Sequence, residues 1–281
     1  MIDQLYAREK LAVKLARFLL LFAILVALLF PFVEMISTAL KARKVLYTWP
    51  PTWFPAEPTW SNFAQIWVDA PLASYFLNSF IIAGGATLLN AAVGIPAGFA
   101  LARFKFPGRQ MFLYFVIGTQ MFSPVVLLLA LFLTMNSLGL LNTHLSLILI
   151  NATVALPFTV WMMTAYFASI PQEIEEAAIL DGCGKFAILW DHFLPIAAPG
   201  IVTAMIFSFI LAWNEFLLAL TFITDARLRP LSTGIYSFVG RFEVQWHLLM
   251  AASLVAIVPV FIGFLLIERR LVSGLAVGAV K

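Results

Sequence analysis

Only one cysteine, Cys183, occurs in the 281 residues, so no disulfide can close within the chain and no thiolate cluster can hold a metal. Charge is scarce too: Asp, Glu, Lys and Arg make up 11% of the residues, against about a quarter in ordinary soluble domains. The histidines, His144, His192 and His247, lie far apart without ligand spacing, which argues against a metal site. No phosphate-cradling G-x-x-x-x-G-K-[ST] run is present. The nearest stretch, Gly184-Lys185-Phe186, lacks both the upstream glycine and the hydroxyl that would bind magnesium, so any nucleotide chemistry belongs to another chain. Nucleophile-elbow and H-E-x-x-H patterns are also missing, and no catalytic residue is read. The net charge of +3 comes from scattered Lys and Arg rather than a basic run, which gives no reason to expect nucleic acid as a partner.

What is abundant is apolar. Hydrophobic residues form 63% of the chain, more than a water-soluble fold of this length can bury. They gather into membrane-length segments at 18–36, 76–101, 111–133, 145–167, 197–222 and 248–267, which predicts an all-α transmembrane bundle of six helices. Residues 1–17 and 268–281 are read as tails flanking this 18–267 membrane domain. The first segment follows Arg8, Lys10, Lys14 and Arg17 and precedes Ser37-Thr38-Ala39, but it exceeds the about 7 to 15 residues of a signal peptide's apolar region and is expected to be retained. Eleven Lys and Arg lie in the tails and the loops after the second and fourth segments, against six in the other loops. By the positive-inside rule this predicts that both termini are cytoplasmic, in a multi-pass protein of a prokaryotic inner membrane.

Between the first two segments, Tyr47, Trp49, Trp53, Trp60 and Trp67 alternate with Pro50, Pro51, Pro55 and Pro58, a composition suited to an external loop lying at the headgroups or against a partner. Within the second segment, Ala86, Asn90, Gly94 and Gly98 recur at every fourth position and present a smooth face to a neighbouring helix. Prolines 31, 96, 124, 157 and 259 fall inside apolar segments, where the carbonyls they free must find other donors.

The loop 170–197 carries the most local information. Pro171 suits the first turn of a helix, and Glu173, Glu175 and Glu176 complement its positive end. Ala177 and Ala178 add helix propensity without bulk. Gly182 and Gly184 supply a turn, and Phe186, Leu189 and Phe193 form an apolar stripe on a second short helix that Pro195 ends. Periodicity leaves two uses open for this hairpin: lying on the membrane surface, or docking a partner.

The run Glu176-Ala177-Ala178, Asp181-Gly182 and Leu194-Pro195 resembles the EAA loop of ABC importer permeases. Arg103 to Arg109, Trp213 to Leu220 and the tail Glu268 to Lys281 are similar to the sugar-permease subgroup typified by the smaller membrane subunit of the maltose importer, as are Pro31 and the stretch Ser37 to Lys41. Lys185 and Leu189 depart from the pattern, where proline and an aromatic are common. The resemblance implies the ABC importer permease fold and a complex with a second, different permease subunit, two ATPase subunits and an extracytoplasmic substrate-binding protein. ATP and magnesium would be held by the ATPase subunits, with no cofactor in this chain. Glu173, Glu176, Ala177, Ala178, Asp181, Gly182, Phe186, Leu189, Leu194 and Pro195 would dock an ATPase subunit. Asn214 and Glu215, polar residues inside the fifth segment, would border the translocation path or brace the partner subunit. The solute would be a sugar or polyol. A secondary transporter and a permease for a non-sugar solute are the alternatives, and the few intramembrane charges argue against ion coupling.

Overall fold

The computed structural model describes residues 11–240 and 242–278, with side chains described over 13–240 and 242–265. Secondary structure among them is helical, apart from one isolated bridge between Val239 and Val244. In chain order the helices are α1 (Leu11–Ala39), α2 (Arg43–Leu46), α3 (Ser61–Asp69), α4 (Leu72–Arg103), α5 (Arg109–Gly118), α6 (Pro124–Ser137), α7 (His144–Ser169), α8 (Gln172–Leu180), α9 (Lys185–Ala187), α10 (Leu194–Trp213), α11 (Leu217–Phe222), α12 (Leu231–Ile235) and α13 (Trp246–Gly278). A π-helical turn, Ile188–Phe193, joins α9 to α10.

Among the described residues, five helical stretches are long and apolar enough to cross a bilayer: Val13–Ala39, Leu72–Arg103, His144–Ser169, Lys185–Trp213 and Trp246–Leu265. The third predicted segment, 111–133, is not one straight helix. Arg109–Met121 and Pro124–Ser137 meet at 96°, so they form either a bent sixth span or a re-entrant loop. Pro124 is the cause: it has no N–H to continue the preceding helix, and the Ser123 hydroxyl instead accepts from Val125 N at 3.4 Å and starts a new one. The fifth segment, 197–222, is also interrupted, because α10 stops at Trp213 and α11 starts at Leu217. Both predicted tails contain helix: α1 begins at Leu11, and α13 runs on to Gly278. Residues 1–10 and 279–281 of those tails lie outside the described residues.

The chain divides into two units. One joins the residues up to Asp69 with Phe238–Val255. In it, α1 is exposed at every position from Val13 to Val33, as expected of a helix solvated by lipid or by another subunit. Asn62 Nδ2 donates to the carbonyls of Ala39 and Lys41, at 2.8 and 3.0 Å, and ties α3 to the end of α1. The intervening loop folds back along α1: Ser37 Oγ donates to the Trp53 carbonyl, and the Trp53 ring lies 5.8 Å from that of Phe30. Its Trp49, Trp53, Phe54 and Trp60 are exposed.

The second unit is Ala70–Ser237 with the chain from Ala256. Its core is a bundle of α4, α7 and α10, and the small-residue face of α4 is what lets the first two approach. A Cβ on Gly98 would lie 2.6 Å from Met163 Cβ, and one on Gly94 would lie 2.7 Å from Thr159 Cγ2. Only hydrogen fits at either position, so the face predicted to be smooth is where α7 packs. At one end of this bundle the rings of Phe99, Phe167 and Phe193 meet at 5.3 to 6.0 Å between centroids. That aromatic cluster forms the floor on which the hairpin sits.

Candidate functional site

The hairpin begins where α7 ends. Pro171 precedes α8, whose first turn holds Glu173 and Glu175 near its free N–H groups. Gly182 closes the helix at φ +83°, with Gly182 N donating to Ile179 O at 3.0 Å and Cys183 N to Ala178 O at 2.9 Å. These are the paired bonds of a Schellman ending, which needs a left-handed residue where Gly182 stands. Gly184, also read as a turn residue, has an ordinary φ of −73° and precedes α9. Thus one glycine makes the turn.

The two alanines face different ways. Ala178 is 2% exposed and packs with Ile188, Leu189 and Phe193, whereas Ala177 is exposed. Glu173, Glu176 and Asp181 are exposed as well. The predicted stripe of Phe186, Leu189 and Phe193 splits. Leu189 and Phe193 are buried in the floor, while Phe186 is 74% exposed and lies against Trp190 at 5.9 Å. The π-helical turn explains the change, because one wider turn rotates the following residues off a 3.6-residue stripe. Leu189 is therefore a foundation of the hairpin and not part of its outer face. Nor does Pro195 end a helix; it sits in the first turn of α10, with Leu194 half-buried beside it.

Two further exposed apolar residues belong to the tip: Leu180, 88% exposed, and Ile179. Their sequence signal is their place in the last helical turn before the Asp181-Gly182 corner, where polar residues ordinarily stand. Phe186 and Trp190, on the other limb of the hairpin, are exposed as well.

The mount beneath is tied by a buried cation. Arg103, the last residue of α4, is 5% exposed at its side chain and reaches across to α7 and α8. Its Nη2 donates to the Phe167 carbonyl at 2.7 Å and also to the Ile170 carbonyl, and its Nη1 lies 3.6 Å from Glu175 Oε2. The guanidinium also rests 4.7 Å above the Phe193 ring, and Lys185 Nζ stands 4.2 Å over the Phe104 ring.

Asn214 and Glu215 lie away from this surface. Asn214 is exposed just past the end of α10. Glu215 fills the break that follows: Leu218 N and Ala219 N donate to its two carboxylate oxygens at 2.7 and 2.9 Å, so it caps α11. Ser232 Oγ donates to the Glu215 carbonyl at 2.6 Å and holds the incoming segment to it. Asn78 Nδ2 fixes the same segment through the carbonyls of Arg227 and Arg229, at 2.8 and 2.9 Å. No group of three or more His, Cys, Asp or Glu side chains that could hold a metal occurs among the described residues.

Residues 94–275 match the family model described as the binding-protein-dependent transport system inner membrane component. The chain is 40% identical over 265 residues to the sulfoquinovosyl glycerol transport system permease SmoH of Agrobacterium fabrum, covering 94% of this chain and 93% of that one. It is 35% identical to the trehalose/maltose transport system permease MalG of Thermococcus litoralis, covering 94% of this chain and 96% of that one. To the inner membrane ABC transporter permease YcjP of Escherichia coli it is 34% identical, covering 92% of both. Among solved structures, a chain of a bacterial ABC transporter that imports the acidic polysaccharide alginate superposes with a TM-score of 0.81 at 20% identity, over 92% of this chain and 96% of that one. That likeness speaks for the fold. The protein is thus a non-catalytic, membrane-spanning permease of the inner membrane, a member of the binding-protein-dependent transport system inner membrane component family of ABC transporters.

Proposed function

We propose that this chain is one of two different membrane subunits of an ATP-driven importer for a sugar or polyol, and that residues 170–197 dock an ATPase subunit. The substrate class is supported by the relatives, whose names give sulfoquinovosyl glycerol and trehalose or maltose as their solutes. The docking role is supported chiefly by one observation: Leu180 and Phe186, one on each limb, stand exposed on a hairpin whose base is buried in the bundle core. A surface helix lying on lipid would turn one long face outward, whereas here exposed apolar residues stand on both limbs of a sharp turn.

In this reading ATP and magnesium bind the ATPase subunits, and an external binding protein delivers solute to the opposite face. Closure of the ATPase subunits pulls on the hairpin, and the bundle exchanges between inward-facing and outward-facing states. Such an exchange is a two-state equilibrium, and work enters it only through an element that moves with one state. Both termini are then cytoplasmic, on the side of the hairpin.

Retention of ATPase subunits by purified variants tests the docking role. Gly182→Val forces a β-branched residue to φ +83°, a strain on the order of 1 to 3 kcal/mol that shifts the turn, and Ala177→Trp adds bulk to the outer face. Each should yield inserted permease that has lost its ATPase subunits or hydrolyses ATP without regard to substrate. Normal stoichiometry with substrate-stimulated hydrolysis in both variants would refute it.

A further inference from the structure

We propose that Arg103 is a positioning residue for transport: it locks the hairpin to the ends of α4 and α7 so that a pull on the hairpin moves the bundle. This deepens the docking reading and rests on it. The hairpin touches the bundle in two chemically different ways. Ala178, Ile188, Leu189 and Phe193 make apolar contacts, which hold the parts together but have little directional preference and allow packed helices to slide. Arg103 supplies the direction. One guanidinium donates to the carbonyls of Phe167 and Ile170 at the end of α7, faces Glu175 of α8 and lies on the Phe193 ring. A planar fork held at several points fixes register and orientation, which a flexible ammonium does not.

Arg103 also does work within the fold, because carbonyls near the end of α7 have no helical partner of their own. Its Nε is buried without a hydrogen-bond partner among the described residues, but both Nη atoms are engaged, so removing the guanidinium leaves the Phe167 and Ile170 carbonyls short of a donor and is expected to lower stability as well. Met keeps the length and apolar contact of the side chain while removing the lock, and the stoichiometry of the assembled complex, measured beside transport, shows whether the fold has survived. This separates the positioning role from a purely structural one.

The test uses the whole complex in proteoliposomes with its binding protein and substrate, and measures solute taken up per ATP hydrolysed beside the stoichiometry of ATPase subunits. Arg103→Met should keep normal stoichiometry and lower uptake per ATP about tenfold, within the usual range of coupling between sites. Arg103→Lys should fall between it and the unaltered protein. In a Cys183→Ser background, Arg103→Cys with Glu175→Cys should be uncoupled too, and a short bifunctional thiol reagent joining the pair should restore much of the ratio. Unchanged uptake per ATP in Arg103→Met would overturn the proposal, as would loss of the ATPase subunits, which would make Arg103 a support for docking. Failure of the docking reading shows elsewhere, as ATPase subunits retained and substrate-stimulated in Gly182→Val and Ala177→Trp.

Discussion

Replacing Gly98 by alanine tests whether the bundle is built as described, because a single methyl group has nowhere to go. Its Cβ would stand 2.6 Å from Met163 Cβ and 3.1 Å from both Met163 C and Thr164 N. Those last two are backbone atoms, so no rotamer change relieves the contact and α4 must move away from α7. Overpacking of this kind costs about 1 to 3 kcal/mol. A helix-interior alanine gains up to about 1 kcal/mol over glycine, which would blur the result. Gly84 removes that ambiguity. It lies in the same helix with nothing within 4 Å of a Cβ, so Gly84→Ala has the same gain and no clash. The difference between the variants isolates the packing cost. At about 2 to 4 °C per kcal/mol, Gly98→Ala should unfold about 2 to 12 °C below Gly84→Ala when the purified permeases are heated and followed by loss of the monodisperse species. Equal midpoints would refute the close approach of the two helices.

Glu215 provides a second test: Glu215→Ala removes both acceptors at the start of α11 and should destabilise by about 0.5 to 2 kcal/mol, while Glu215→Gln keeps one and should lose less. If Glu215→Gln abolished uptake in a normally assembled complex, a role in the translocation path would outweigh the cap. The topology is checked by single cysteines in a Cys183-free protein. Those at Thr59 and Arg229 should react with an impermeant thiol reagent in intact cells and one at Lys105 should not; the reverse pattern would invert the orientation.

Hydropathy made five spanning segments legible, since a bilayer demands long apolar helices, and the four-residue spacing of Ala86, Asn90, Gly94 and Gly98 pointed to a packed face. The breaks at Phe122 and Asn214 were hidden because hydropathy counts residues and not hydrogen bonds. Pro124 alone permits either a kink or a fresh start, and the Ser123 cap selects the second. Within the hairpin, Gly182 was legible from its corner between two helices. The outward turn of Phe186 away from Leu189 was not, because a π-helical turn leaves no mark in a 3.6-residue count. Arg103 was visible only as part of a family-like stretch; its partners Phe167, Ile170 and Phe193 lie 64 or more positions along the chain, beyond local pattern.

The docking claim is tested most directly by a photo-reactive phenylalanine analogue placed at Leu180, an apolar residue 88% exposed at the hairpin tip, in the assembled and active complex. Irradiation should join this chain to an ATPase subunit, with efficiency that changes when ATP is bound, and the same analogue at the exposed Trp49 should give no such product. A complex that hydrolyses ATP normally and yields no ATPase adduct from Leu180 would contradict the account.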